Sequence, residues 1–446
     1  MPGHSHQDSH AHHDDSGGGH GHVHEDMFSV EEAYERVMAA FAPLEGVETP
    51  ILDTLGQVLA QDIDSPLDLP PLANSAMDGY AVRSDDIKGA SAEAPKTLSV
   101  IGLVAAGQVS SQTVAPGTAI RIMTGAPIPD GADTVVPFEE TDEVARRQSG
   151  RPLDQVEVHS SLARGFHVRP SGEDVKKGER VLESGTVVRV AEIGVMASLG
   201  LSKARVIRRP VVAILATGDE LVPADQPLEE GKIFDSNSFT VAASVAACGG
   251  VPRILGIARD NLEDLHRKLS ETAGSDLVVT SAGVSKGDYD IVKDVLTERG
   301  NINFWSVRMR PAKPLAFGHL RQDGGRPIPL LGLPGNPVSA MVAFEMFARP
   351  AIYTMLGKVR LARPMVEGIL TGPIYNGDGR RVYARVEVTK KDGTYYANPT
   401  GPQGSNILTS MSRANALAIC PEDLPSKEAG EKVQIIMLNW NEEVDL

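Results

Sequence analysis

The chain is poor in several things, and each shortage excludes something. Its 446 residues include two cysteines, Cys248 and Cys420, which stand in no metal-type spacing. A disulfide framework and a zinc knuckle are therefore excluded, and both residues are expected to be buried, reduced thiols. No apolar run approaches the roughly 20 residues that span a bilayer. The longest are short pieces such as Val211 to Ala216, so no membrane partner is expected. No positively charged segment followed by an apolar one stands near the N-terminus, so no secretory signal is expected and the location expected is cytoplasmic. Positive charge is short as well: 43 Lys and Arg against 59 Asp and Glu give a net charge of -16. A nucleic-acid partner needs a basic face and is excluded on this balance. Any anionic ligand must find a local basic pocket.

What is present is an ordinary globular composition, 41% hydrophobic and 23% charged, with 44 Gly and 30 Pro pointing to many turns and much β structure. The length suggests about three domains. Residues 1–27 form a separate segment. Eight of the twelve histidines lie there (His4, His6, His10, His12, His13, His20, His22 and His24) among Asp, Ser and Gly, with no Lys or Arg. Such a stretch buries no core and is expected to be disordered. Its imidazoles can bind divalent metal loosely, or the segment is only a solvated tail.

From Phe28 the spacing predicts a helix: Ser29 can cap, Glu31 and Glu32 fall in the first turn, and the helix ends before Pro43. Residues 66–162 read as short strands broken by Gly and Pro, a β-rich lobe nested in a domain spanning 28–207. Residues 208–357 alternate strand and helix. Pro210 to Thr217 is a β-branched run of the kind buried on both faces of a parallel sheet, followed by a helix near Ser238 to Ala247. A strand from Arg253 to Ala258, a helix from Leu262 to Thr272, a strand from Leu277 to Ser281 and a helix from Tyr289 to Arg299 complete the alternation. This implies an open α/β sheet with right-handed crossovers. Residues 358–446 lose the helical pattern and predict a closing β domain.

Ligands of open α/β sheets bind outside the carboxyl ends of the strands. Three loops there are unusual. Thr217-Gly218-Asp219-Glu220 holds two acids at a tight turn. Ser281-Ala282-Gly283-Val284-Ser285-Lys286-Gly287-Asp288 has small residues that let backbone N–H groups approach a phosphate. Leu333-Pro334-Gly335-Asn336-Pro337-Val338-Ser339 offers Asn336 as N-cap and Pro337 at the first helical position, an anion-attracting helix start. Any one of these is an ordinary strand-to-helix turn; three on one edge point to a ligand. Between the second and third loops, Arg308-Met309-Arg310-Pro311-Ala312-Lys313-Pro314 sets three cations on a proline-stiffened strip, which suits a compact oxyanion. The plainer reading is a charged edge strand.

These residues resemble the molybdopterin molybdenumtransferase family, to which the E domain of gephyrin is related. The resemblance rests on PPLANSAMDGYAV (Pro70 to Val82), AIRIMTGAPIPDGADTVV (Ala119 to Val136), RPSGEDV (Arg169 to Val175), TGDEL (Thr217 to Leu221), DSNS (Asp235 to Ser238), TSAGVSKGDYD (Thr280 to Asp290), MRPAKPLAFG (Met309 to Gly318) and LPGNPVSA (Leu333 to Ala340). It runs in order from about Phe28 to the C-terminus. The resemblance implies a multidomain α/β plus β protein: an open α/β pterin-binding domain, a nested β-rich lobe, a connecting domain and a C-terminal β barrel. It also implies a homodimer whose cleft joins one subunit's α/β domain to the other's N-terminal lobe.

By the same resemblance the chain inserts molybdenum from molybdate into adenylylated molybdopterin, with release of AMP. Asp78, Thr124, Asp174, Glu220, Asp260 and Asp288 are the implied functional polar residues. Gly218, Asp235, Asn237, Gly283, Ser285, Pro334, Gly335, Asn336 and Ser339 are expected to bind the pterin nucleotide, and Arg310, Lys313, Arg381 and Ser405 the molybdate. Mg²⁺ is the expected cofactor, on Glu220 and Asp288. The chain departs from the family's usual pattern at Ser306 and Arg310, where Lys is common, at Ala312, where the common PGKP has Gly, and at Ala282-Gly283, where SGGVS has a glycine pair. The alternatives are a molybdopterin adenylyltransferase, whose α/β domain has similar loops, and a non-catalytic scaffold of the same fold.

Overall fold

A computed structural model describes residues 27–282, 291–322 and 325–438. The chain forms two compact units: one takes the chain through Phe41, Val211–Ala351 and Ala362 to the end, the other Ala42–Pro210 and Ile352–Leu361.

In the first unit, α1 (Val30–Met38) starts at a full capping box. Ser29 Oγ accepts the Glu32 N–H, and the Glu32 carboxylate accepts the Ser29 N–H. The helix groups with the α/β residues rather than with the lobe that follows it in sequence. The α/β domain consists of β1 (Val211–Thr217), α2 (Asn237–Cys248), β2 (Val251–Ala258), α3 (Leu262–Ser270), β3 (Leu277–Ser281), α4 (Ile291–Arg299), β4 (Gly300–Ser306), β5 (Met309–Arg310), β6 (Pro314–Leu320), β7 (Ile328–Leu333) and α5 (Pro337–Ala343). Six strands form one sheet in the order β2-β1-β3-β7-β6-β4. The run from Val212 to Thr217 is buried throughout, as strands covered on both faces require. The first four strands are parallel. The last two are antiparallel, so the sheet is mixed. The links between β4, β6 and β7 are too short for the helical crossover that parallel pairing needs.

The C-terminal strands β8 (Met365–Leu370), β9 (Arg381–Lys391), β10 (Thr394–Pro399), β11 (Ala416–Cys420) and β12 (Lys432–Met437) pair in the order β9-β10-β8-β12-β11, and β11 closes back on β9. This is a five-stranded barrel. Its core alternates along β9, with Val382, Ala384, Val386 and Val388 pointing inward. One helical turn, Thr409–Arg413, interrupts the all-β pattern expected here. The short β5 adds to the barrel: Met309 stands opposite Arg381, and Arg310 opposite Val382, in parallel register. The basic strip is thus hydrogen-bonded to the barrel. Both cysteines are buried thiols.

The second unit contains a five-stranded sheet in the order Thr134–Pro137, Gly79–Val82, Thr118–Ile122, Lys96–Val104, Gln155–Val158, with a hydrophobic cluster on each face. Gly79 is required by close backbone approach: a Cβ there would lie 2.0 Å from the Val136 carbonyl oxygen. Among the described residues no helix is long and apolar enough to cross a membrane.

Candidate active site

A cavity of about 1400 Å³ opens in the first unit between the carboxyl edge of the sheet and the barrel. On the sheet side, Gly218 has φ +140, and a Cβ there would lie 2.4 Å from Glu220 Oε2. Only glycine lets Glu220 fold back over this turn, from which Glu220 lines the cavity. The turn is clipped to the next loop: Ile233 N–H donates to the Glu220 carbonyl at 2.8 Å, and Asp235 N–H to that of Val222 at 2.9 Å. Buried Asp235 accepts the Ser238 N–H at 3.0 Å and so anchors the start of α2.

Asn237 ties the loops together. Its Nδ2 donates to Ser281 Oγ and to the Gly335 carbonyl, each at 2.7 Å, joining the exits of β3 and β7. Its Oδ1 is buried and accepts no hydrogen bond among the described residues. A buried acceptor left open costs about 1–3 kcal/mol. A ligand donor would recover that cost. Asn336 occupies the N-cap position of α5, as the sequence predicts, but its side chain makes no cap bond. Instead the Val338 N–H donates to the backbone oxygen of Ser405 at 3.1 Å, so a barrel loop takes one of the N–H groups expected to be open. Pro334, Gly335, Ser339 and Ser405 all line the cavity.

The opposite wall is cationic. Arg310, Lys313, Arg380 and Arg385 line it. Lys313 is exposed, and no described carboxylate lies within ion-pair distance. Arg310 Nη2 donates to the Tyr375 carbonyl, and its Nη1 lies 3.7 Å from Asp378 Oδ2. Arg380 Nε donates to the same Asp378 oxygen at 3.0 Å. Arg385 is 1% exposed and has no described carboxylate partner. Its guanidinium donates to Ser410 Oγ and to the carbonyls of Gln403 and Gly404, fixing the loop that carries Ser405. Burial pushes its pKa down to about 10, so it remains charged at pH 7. Ala312 turns the strip at φ +75, the left-handed conformation for which a glycine is suited.

Not every expected residue comes to this cavity. Arg381 does not: its guanidinium is committed to Glu422, at 2.9 and 3.0 Å, and to Glu31, while its neighbour Arg380 faces the cavity. Asp260 is exposed, away from the lining: its carboxylate accepts the Asp219 N–H at 3.4 Å, and its own N–H donates to the Asp219 carboxylate at 3.2 Å. Gly283, Ser285 and Asp288 lie outside the described residues. Asp78, Thr124 and Asp174 belong to the second unit. There, Asp78 Oδ1 accepts both the N–H and the hydroxyl of Thr124, at 2.7 and 2.8 Å, which holds its carboxyl below the usual range. Asp174 is exposed, with its N–H on the Leu69 carbonyl. Sequence reasoning missed Arg380, Tyr383 and Arg385. A signal existed for the last two: the inward alternation of Val382, Ala384, Val386 and Val388 puts 383 and 385 on the outer face.

Three regions of the chain match described families in order. Residues 28–200 match the MoeA N-terminal region (domain I and II), 213–354 the probable molybdopterin binding domain, and 367–438 the MoeA C-terminal region (domain IV). A molybdopterin molybdenumtransferase 2 of Mycobacterium tuberculosis is 37% identical over 416 residues, spanning 92% of this chain and 99% of that one. The chain belongs to the molybdopterin molybdenumtransferase family. A molybdopterin molybdenumtransferase of Nostoc is likewise 37% identical, over 86% of both chains. Two crystal structures of molybdopterin biosynthesis MoeA proteins from Pyrococcus horikoshii superpose with TM-scores of 0.77 and 0.73 at 29% identity, covering 93% and 92% of this chain and 100% of theirs. In this molybdenumtransferase-family chain, Glu220, Asn237, Arg310, Lys313 and Gly335 fall in the probable molybdopterin binding domain. Arg380, Arg385 and Ser405 fall in the C-terminal region.

Proposed function

We propose that the chain inserts molybdenum from molybdate into adenylylated molybdopterin and releases AMP. One observation carries this reading: a protein of net charge -16 collects Arg310, Lys313, Arg380 and Arg385 on one wall of a single cavity, opposite the carboxyl edge of an α/β sheet. A tetrahedral dianion is a small, dense charge that such a wall selects. Lys313, exposed and without a described counter-charge, is its foremost ligand. Arg310 and Arg380 flank it, Ser405 adds a polar contact, and Arg385 supplies fixed charge from behind. The pterin nucleotide lies along the sheet edge, where the open Oδ1 of Asn237 accepts from a ring or exocyclic N–H and the small Gly335 lets the ligand approach the backbone. Holding both substrates in one cavity turns their encounter into an intramolecular one.

Glu220 and Asp235 are carboxylates of the lining, and no three acidic, His or Cys side chains gather as a metal site among the described residues. That donor set suits Mg²⁺, which proteins commonly hold through one or two carboxylates together with substrate phosphates. Glu220 would hold it, and its charge would offset that of the diphosphate as the anhydride breaks. Assembly as a homodimer belongs to the same reading, and equilibrium sedimentation tests it. The histidines of residues 4–24 are proposed to bind divalent metal independently. Deletion of residues 1–26 should then reduce metal retention and leave insertion intact.

The test is single-turnover AMP release and molybdenum transfer from purified adenylylated molybdopterin and molybdate. Turnover is expected with wild-type protein and is expected to slow about a hundredfold in Lys313→Met. Synthesis of adenylylated product from ATP and free molybdopterin would favour the adenylyltransferase instead, and inertness with both substrate pairs the scaffold.

A further inference from the structure

Among the described residues, an anion stands against the cationic wall without itself lining the cavity. The side chain of Asp378 stands between two of the cavity's guanidiniums, and both reach the same carboxylate oxygen: Arg380 Nε at 3.0 Å and Arg310 Nη1 at 3.7 Å from Oδ2. The other oxygen, Oδ1, is buried and accepts no hydrogen bond among the described residues. A carboxylate recruited only to brace the wall would be satisfied on both oxygens. Asp378 is satisfied on one.

Neither arginine depends on this charge alone for its position. Arg310 is also anchored at the Tyr375 carbonyl, and Arg380 Nη1 donates to the Met309 carbonyl at 3.3 Å. The neighbouring Arg381 shows the contrasting case. It has two carboxylates, Glu31 and Glu422, and takes no part in the cavity. Burial opposes ionisation of Asp378, but the hydrogen bond from Arg380 and the charges of Arg380 and Arg310 outweigh it, so the carboxyl stays ionised. A negative charge one guanidinium away from a docked dianion repels it and engages the same N–H donors.

We infer that Asp378 is a resident counter-anion that moderates oxyanion affinity, presetting Arg310 and Arg380 while competing with the substrate for them. This rests on the cavity's assignment to molybdate. The affinity it gives up keeps the bound oxyanion exchangeable, so that the oxyanion can leave the wall for the molybdopterin.

The test is calorimetric titration of the full chain with molybdate, together with steady-state insertion kinetics. Asp378→Asn keeps an oxygen for Arg380 and removes the charge. It is expected to bind molybdate about three- to tenfold tighter than wild type, and to lower both KM for molybdate and kcat. Asp378→Ala loses the acceptor too and is expected to bind more weakly than Asp378→Asn. A merely structural aspartate predicts the opposite, a raised KM in both variants. Wild-type binding with no tightening in Asp378→Asn overturns this inference alone. Absence of molybdate binding by wild type overturns the cavity's assignment and the inference with it. Should Asp378→Asn fail to fold, Asp378→Ser, which also removes the charge, is judged by the same comparison with wild type.

Discussion

Two polar clusters in this molecule both bring a carboxylate among arginines and end in opposite states. In the five-stranded lobe, Glu143 is 2% exposed and fully engaged: it accepts from the Tyr80 hydroxyl at 2.5 Å, from Arg121 at 2.8 and 3.1 Å, and from Arg147 at 2.8 Å. Burial would raise its pKa, but the bonds from Arg121 and Tyr80 outweigh that and hold it below the usual carboxylate range. At the cavity and directly behind its wall, Asn237 Oδ1 and Asp378 Oδ1 are buried without a described partner, Arg385 has no described counter-ion, and Lys313 stands exposed. A closed network contributes to stability; an open one leaves interactions for a ligand to complete.

The contrast breaks most visibly at Glu143. Glu143→Ala strands Arg121 and the buried Tyr80 hydroxyl, while half-exposed Arg147 turns to solvent, and should cost about 3–5 kcal/mol in urea unfolding. Molybdate affinity should not change. A cost below about 1 kcal/mol would make the closed network decorative. Lys313→Met is the mirror experiment: kcat/KM for insertion should fall about a hundredfold, roughly 2.7 kcal/mol of transition-state stabilisation. Its melting temperature should match wild type, and a large drop would mean that Lys313 had a structural partner.

Acid titration sharpens the comparison further. The folded pKa of Glu143 lies below its reference of 4.5, so its contribution is fully present above pH 4.5 and is lost as pH falls through the lower folded value. Glu143→Gln should flatten the acid limb of the stability curve, whereas Lys313→Met should leave it unchanged. The smallest effect is expected at Ala312. Its left-handed backbone costs about 1–2 kcal/mol in a non-glycine residue. Glycine there would restore much of that but lose about 0.4–1 kcal/mol through the freer unfolded chain. Ala312→Gly should therefore shift stability by under about 1.5 kcal/mol, upward, with activity retained.

Much of the fold was legible because its signals are local. The buried run of β1, the strand from Leu277 to Ser281, the Ser29 cap and the Pro337 helix start are each readable within a few residues. So was the gathering of loops at one sheet edge, which follows from topology once the alternation of strands and helices is recognised. The antiparallel turn of β6 and β4 was less legible, because apolar runs carry no direction. The cationic wall divided along the same line. Arg310 and Lys313 stand on a motif, but the capture of Arg381 by Glu31 joins residues 350 positions apart and leaves no local trace. Arg380 precedes its strand in an Asp-Gly turn, where side-chain alternation does not yet apply.

The central claim is that one open cationic wall receives a metal oxyanion. Anomalous diffraction at the molybdenum edge, from crystals of the full chain soaked in molybdate, tests it most directly. The account predicts a single strong peak within hydrogen-bond reach of Lys313 and of Arg310 or Arg380, facing Asn237 across the cavity. A peak elsewhere, with this cavity empty at saturating molybdate, would contradict it.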